Sequence, residues 1–371
     1  MTKVVHVITG LGTGGAERML THICVRETAS RETEHVVVSL MDAGHFGRTL
    51  GEAGVRVHTL NMRRGRPSLF AVGRIARLLR AERPDIVMTW LYAADLLGTV
   101  GAVLARAPRL VWNIRCSDMD LSQFSRTTRL TVRTLSMLSG VPTAVATNSR
   151  AGRIAHERMG YRPRRWALLP NGVDASVWRP DSVDRAGVRS ELKIPHDAVV
   201  FGMVARVDPA KDHATLFAAA TRIAATEPAA QFLIVGRETD RLAIPRELGE
   251  RLRAMGERGD VTRLMRALDV HVLSSHSEGF PNVVVEAMAT AVPCIVSDVG
   301  DAAGIVGETG WVTPPRDADA LEQAMREAIR IGAGGRAHRG GRARALIVER
   351  WSLDNAVARY QDLWRAAMMS N

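Results

Sequence analysis

The chain has 371 residues, 46% apolar and 24% charged, a globular composition long enough for two domains with separate cores. No apolar run reaches bilayer-spanning length and no signal peptide is expected. Cys24, Cys116 and Cys294 have neither disulfide-framework nor metal-ligand spacing, so free thiols in a reducing cytoplasm are expected. The net charge of +11 is uneven: residues 1–170 carry 25 Lys and Arg against 12 Asp and Glu, whereas 171–371 carry 25 against 27.

In chain order, strand-like runs appear at Val4–Ile8, His35–Leu40, Val55–Thr59, Ile86–Thr89, Arg109–Asn113 and Thr143–Thr147, with helical patterns such as Ala16–Glu27, Phe70–Glu82 and Ala94–Arg106 between them. Near-continuous Val, Ile and Ala runs mark strands buried on both faces of a parallel sheet, hence a βαβ series and a doubly wound α/β fold. Within this half, Arg63, Arg64, Arg66, Arg74, Arg77, Arg80 and Arg83 are dense around an expected amphipathic helix, Leu69–Glu82. Such a block is either a solvated face or a surface for an anionic partner, for example a lipid headgroup or a phosphate-bearing substrate. Nucleic acid is set aside, because aromatic content is 5% and no stacking residues interleave with the arginines.

The Pro-, Gly- and Asp-rich stretch 168–197 breaks the rhythm and reads as an interdomain linker, assigned to 171–195 between domains 1–170 and 196–351. A second series follows, with strands at Val199–Val204, Gln231–Val235, Val270–Leu273 and Cys294–Ser297. Trp351, Leu353, Val357, Tyr360, Leu363 and Trp364 then recur at helical spacing. Two similar α/β domains flanking a cleft is the economical architecture.

Three motifs carry candidate chemistry. Gly10-x-Gly12-x-x-Gly15 stands between a strand and a helix, where glycines let phosphates approach helix N–H groups. The spacing fits a dinucleotide fingerprint, with Asp42 where a ribose-binding acid could sit, and it fits a tight turn beside a sugar or diphosphate equally well. After the strand ending at Val204, Arg206 and Lys211 offer a bidentate fork and a point charge suited to a diphosphate. The loop His276–Pro281 then leads to a helix with Asn282 as its expected N-cap. Glu278 in the loop and Glu286 on the helix are placed to accept hydrogen bonds from vicinal hydroxyls.

Glu278-x7-Glu286 within SEGFPNVVVEAMA, the preceding Arg206 and Lys211, PNGVD (170–174) and VTRLMRALDVHVLSS (261–275) resemble the retaining glycosyltransferases of family 4. The resemblance implies the GT-B fold, two Rossmann-like domains facing a cleft. The acceptor would lie on the first domain and a nucleotide sugar, UDP- or GDP-linked, mainly on the second; a last helix (352–371) would return to the first. It implies that Arg206 and Lys211 hold the donor diphosphate, that Glu278 contacts the donor sugar, and that Gly279, Phe280, Pro281, Asn282 and Val283 surround sugar and phosphate. Glu286 would bind the ribose. Arg258, in MGERGDV (255–261), would lie beside the base, Gly236 and Arg237 would line the same pocket, and Gly12, Gly14 and Gly15 would approach the phosphates from the first domain.

No metal or further cofactor is implied, because the Arg and Lys pair supplies the positive charge. Trp90, Tyr92, Asn113, Arg115 and Ser117 are candidates for acceptor binding, and the acceptor is expected to be a saccharide or a lipid-linked saccharide, with a soluble small molecule such as a secondary metabolite or inositol-type polyol as the alternative. The basic first half makes an anionic membrane surface a candidate partner. Related sequences often have a histidine near TWLYAAD (89–95), where this chain has Ala93 and Ala94. The competing reading is a nicotinamide-dependent oxidoreductase resting on the glycine motif alone. His6, His35 and His271, inside strands, read as structural.

Overall fold

The computed structural model describes residues 1–30, 32–62, 69–116 and 125–369; Arg63, Arg64, Arg66 and Ser117 lie outside them. The chain divides into two compact units, Met1–Gly172 with Leu353–Asn371, and Val173–Ser352.

The first unit runs β1 (Thr2–Ile8), α1 (Gly15–Ser30), β2 (Thr33–Ser39), α2 (Gly47–Glu52), β3 (Arg56–Thr59), α3 (Leu69–Glu82), β4 (Ile86–Trp90) and α4 (Tyr92–Ala105). It continues through β5 (Leu110–Ile114), α5 (Arg126–Leu138), β6 (Ala144–Thr147), α6 (Arg150–Arg158) and β7 (Trp166–Leu168). The strands form one parallel sheet in the order β3-β2-β1-β4-β5-β6-β7, with Val4 of β1 opposite His35 on one side and Ile86 on the other. Val4, Val5, Val7 and Ile8 are all fully buried, as a run without polar alternation requires. On one face the apolar sides of α3, α4 and α5 pack against β1, β2, β4, β5 and β6; on the other lies the cluster that includes α1. A Cβ on Gly98 would meet Thr89 Cγ2 at 2.6 Å, and one on Gly101 would meet Ile75 Cγ2 at 2.5 Å, so these glycines let α4 sit tightly on β4 and α3.

The second unit contains α7 (Ser182–Glu191), β8 (Val199–Val204), α8 (His213–Thr226), β9 (Ala230–Val235), β10 (Leu252–Ala254), α9 (Val261–Arg266), β11 (Val270–Leu273) and α10 (Asn282–Ala289). It is completed by β12 (Cys294–Ser297), α11 (Ala302–Val306), β13 (Trp311–Thr313), α12 (Ala318–Arg330) and α13 (Gly332–Trp351). Its parallel sheet has the order β10-β9-β8-β11-β12-β13. The last helix, α14 (Leu353–Met369), belongs to the first unit, where it packs in the cluster with α1.

Two features depart from the reading of the sequence. The stretch read as a linker contains helix α7, whose amino end is capped by the Asp181 carboxylate accepting from Val183 and Asp184 N–H. Arg185 and Arg189 of that helix both bind Asp269, so the segment is part of the second unit. Its Pro, Gly and Asp residues mark turns at either end of the helix, and only Val188 and Arg189 are buried along it, too few to show a periodic face. Strands β7, β10 and β13, three residues each, were also missed, being too short for any pattern to register.

Candidate functional site

All strands in each unit are parallel, so the loops at their carboxyl ends gather along one edge of each sheet, where ligands bind in folds of this kind. In the second unit that edge collects the charged residues singled out above. Beyond β8, Arg206 extends into solvent and binds Asp208 at 2.6 Å. Burial opposes ionisation of Asp208, and the Ala210 N–H together with Arg206 and Lys211 outweigh it, keeping the carboxyl below its usual range. Lys211 ends the short turn Pro209–Lys211 and turns inward, its Nζ donating to Glu278 Oε1 at 2.5 Å. The pair is largely buried, with side-chain exposures of 19% and 11%.

Glu278 reaches that position because the loops after β8 and β11 are joined at several points. Ser275 Oγ donates to Glu278 Oε1 at 2.7 Å, His276 N–H donates to Ala210 O at 2.9 Å, and Ser274 Oγ donates to the Lys211 and Asp212 carbonyls. Gly300, at φ +58°, leaves no room for a Cβ against the Glu278 and Gly279 carbonyls, and Asp301 N–H donates to Gly279 O. The next strand end behaves alike. Gly236, at φ +148°, lies so close to the Ala205 carbonyl that a side chain would collide with it, and Val207 N–H donates to Arg237 O. Gly236 N–H donates to Gly256 O, bringing the 255–261 loop alongside; there Arg258 is exposed and forms a forked pair with Asp260 at 2.8 Å on both arms. Arg206, Lys211, Gly236, Arg237, Arg258 and Glu278 therefore belong to one set of interlocked loops.

Helix α10 begins one residue earlier than expected. Pro281 occupies the cap and Asn282 is the first helical residue, with no side-chain cap, because proline's fixed φ suits a helix entry. Gly279 is half-buried, and so are Asn282, Val283 and Glu286 in the first two turns of the helix. Phe280 and Pro281 are buried, Phe280 inside the apolar cluster of the unit, so a ligand would meet their backbone and not their side chains.

The first unit treats its strand ends differently. Gly12, Gly14 and Gly15 are exposed, and a Cβ on Gly14 would strike the Glu17 carboxylate at 2.3 Å. Burial raises the pKa of Glu17, with its own N–H opposing the rise. Asp42, the candidate ribose acid of a dinucleotide site, turns its carboxylate onto Gly44 N–H at 3.1 Å within its own loop.

Of the expected acceptor residues, Trp90, Tyr92 and Asn113 are buried and Arg115 is half-buried, with their polar atoms engaged inside the unit. Trp90 has no exposure, stacks on Tyr360 of α14 at 5.8 Å and donates from Nε1 to His6 Nδ1 at 3.1 Å. Asn113, equally buried, donates to Tyr360 OH at 3.0 Å. Tyr92 pairs through its hydroxyl with His156 Nε2 at 2.7 Å. Arg115 donates to Leu169 O at 3.0 Å and to Asn171 Oδ1, and its guanidinium lies over Trp90. These amphipathic side chains were legible as polar groups at strand ends, but the helix that covers Trp90 and Asn113 lies more than 200 positions away in the chain, beyond any local pattern.

Tyr360, the partner of Trp90 and Asn113, and His156, the partner of Tyr92, lie outside the set expected from the sequence. The exposed position next to Tyr92 is Ala93, at the start of α4. Deeper in, His6 accepts from Trp90 through Nδ1, so its Nε2–H donates to His35 Nδ1 at 3.0 Å. Cys24 lies within ligand distance of both, but that tautomer commits His6 to Trp90 and His35.

The comparisons agree with these features. The family described as Glycosyltransferase Family 4 matches residues 13–177, and the one described as Glycosyl transferases group 1 matches 198–330. The chain is 28% identical over 239 residues to the Escherichia coli UDP-Gal:alpha-D-GlcNAc-diphosphoundecaprenol alpha-1,3-galactosyltransferase, covering 60% of this chain and 60% of that protein. It is 32% identical over 239 residues to the D-inositol 3-phosphate glycosyltransferase of Geodermatophilus obscurus, covering 58% and 51%. Both matches thus span less than two thirds of the relative. Anabaena Alr3699/HepE, solved in complex with UDP and glucose, superposes with a TM-score of 0.83 over 99% of this chain and 100% of its own, at 22% identity, which establishes the GT-B fold. The oxidoreductase reading of the glycine motif is not favoured. With both halves matched and the fold shared, the chain belongs to the family 4 glycosyltransferases.

Proposed function

We propose that the protein is a retaining glycosyltransferase that transfers a sugar from a nucleoside-diphosphate sugar, UDP-linked as in the names of its relatives, to an acceptor hydroxyl. The observation that carries this reading is the Lys211–Glu278 pair held by the joined loops after β8 and β11. It sets a cation for a phosphate beside a carboxylate for sugar hydroxyls, on a scaffold that leaves Arg206 and Arg258 exposed nearby in sequence and loop structure.

In this reading Arg206 and Lys211 stabilise the charge that develops on the departing diphosphate, the role a metal plays elsewhere. Glu278 orients the donor sugar, Glu286 holds the ribose, and the backbone of Gly279 to Val283 accommodates the phosphate. The leaving phosphate assists deprotonation of the acceptor on the same face of the sugar, so configuration is retained.

The acceptor we favour is a lipid-linked saccharide in cell-surface polysaccharide assembly, as the name of the Escherichia coli relative suggests, with the protein peripheral on the cytoplasmic face of the membrane. No helix among the described residues is long and apolar enough to cross a membrane. A small soluble polyol phosphate is the second reading, favoured by the inositol phosphate relative.

The test is thermal stabilisation by UDP, GDP, dTDP, ADP and NAD in parallel, since a ligand that binds only the folded state raises the melting temperature. A rise with UDP is expected. A rise with NAD alone would overturn the proposal.

A further inference from the structure

Among the described residues, the outer surface of the α3–α4–α5 layer has no packing partner within the first unit, and its composition is unusual. These helices bury one side against the sheet through Ile75, Leu79, Leu97, Val132 and Leu135. On the other side large apolar side chains face solvent: Phe70 is 87% exposed, Val103 61%, Leu104 50%, Leu130 66% and Met137 82%. Between them Arg74, Arg77 and Arg80 on α3 and Arg126, Arg129 and Arg133 on α5 are exposed.

No carboxylate balances these cations on the same surface, among the described residues. Glu82 of α3 is 9% exposed and engaged by Lys3 and Arg56; Asp95 of α4 is fully buried on Thr89; α5 has no acidic residue. The opposite side of the unit is ordinary by comparison, since α1 and α14 show the mixed pairs Arg26–Asp354 and Arg365–Asp362. At the far end of α4 a hollow of about 460 Å3 opens between Val103, Pro108, Val141, Arg164 and Arg165, extending the same mixture of apolar walls and arginines.

We infer that this layer is the surface on which the protein sits against an anionic lipid bilayer. The inference rests on the membrane-facing part of the proposed function and specifies where contact is made. Arginines on α3 and α5 would meet headgroup phosphates, while Phe70, Val103, Leu104, Leu130 and Met137 enter the boundary between headgroups and acyl chains. Apolar side chains that protrude singly between cations suit a fluid anionic surface, which closes around each of them. A folded acidic partner would have to present a separate pocket for each. The layer is anchored to the sheet by its own apolar side, so its outer residues are presented without rearrangement of the helices.

The experiment is flotation of the full chain with phosphatidylglycerol-containing vesicles and with phosphatidylcholine vesicles. The variants are Arg126→Glu/Arg129→Glu/Arg133→Glu, Leu130→Ser/Met137→Ser, and a charge-matched control on other surfaces, Arg48→Glu/Arg350→Glu/Arg365→Glu. We expect the wild type to partition onto anionic vesicles, the α5 charge reversal to lower the partition coefficient at least about tenfold, the Ser pair to lower it less, and the control to stay near wild type. Equal partition on both vesicle types, no binding at all as an acidic protein partner would predict, or an equal loss in the control would overturn the inference. UDP-induced thermal stabilisation, measured on every variant, separates the outcomes. If it persists while vesicle binding is absent, the surface assignment fails and the transferase reading stands; if it is absent throughout, the transferase reading fails instead.

Discussion

The two units build the same kind of sheet and then use its carboxyl edge in opposite ways. In the second unit the side chains beyond β8, β9, β10 and β11 are charged and reach solvent or one another: Arg206 to Asp208, Lys211 to Glu278, Arg258 to Asp260. In the first unit the corresponding positions, at and just beyond the ends of β4 and β5, are filled by Trp90, Tyr92, Asn113 and Arg115; Tyr360 stacks on Trp90 and accepts from Asn113, while Tyr92 pairs separately with His156. The difference teaches that a strand-end position in a doubly wound fold offers access without guaranteeing it. Whether the residue meets a ligand depends on what else the chain lays across that edge.

The comparison has consequences of unequal size. The largest effect is expected from Tyr360→Ala, which removes a fully buried ring stacked on Trp90 and the acceptor for Asn113; it should cost about 3–5 kcal/mol in urea unfolding, with UDP affinity unchanged. Loss of UDP affinity in still-folded protein would break the division of labour between the units. Next comes Lys211→Ala, expected to lower kcat/KM about 100-fold or more, because a cation aimed at developing phosphate charge is lost. Steady-state kinetics with the preferred donor would check it, and near-wild-type turnover would remove Lys211 from the machinery.

A third effect follows from the buried histidines. Burial holds His35 at about 4, and burial followed by the neighbouring His35 pushes His6 down as well. The unfolded chain, with histidine near 6.5, binds protons that the folded unit refuses. Stability is therefore complete above about pH 6.5 and is lost progressively as pH falls toward 4, by about 3 kcal/mol from His35 alone. Unfolding curves between pH 7.5 and 4.5 should show this slope, and His35→Asn should flatten it; an unchanged slope would place the acid sensitivity elsewhere. The smallest effect is Glu286→Gln, expected to raise the donor KM about tenfold with little change in kcat. A fall in kcat at constant KM would move Glu286 from ribose binding to the reacting centre.

What was legible in the sequence divides along the same line. Lys211 and Glu278 stood out because they are charged residues in short local loops directly after buried strand runs, and Gly236 and Gly300 mark the close approaches that those loops need. Trp90 and Asn113 are legible as candidates, but their burial is not, because it is decided by α14, remote in sequence. The helix inside 171–195 was hidden for a different reason: it is anchored through Arg185 and Arg189 on Asp269, a polar attachment that leaves no apolar period to read. The bare surface of α3, α4 and α5 was visible only as a count of arginines. Its apolar members emerged once the sheet-facing sides of the helices were known.

The discontinuity of the first unit also bears on how the molecule is made. Its sheet is complete by Leu168, yet the helix that covers Trp90, His6 and Asn113 follows the whole second unit in the chain. During synthesis the first sheet therefore emerges with one apolar face covered only in part, by α1, and the contiguous second unit is able to finish folding before the first does. For the time needed to translate Val173–Ser352, the nascent chain presents an uncovered aromatic surface, a natural target for a holding chaperone, and Tyr360 and Trp364 dock last.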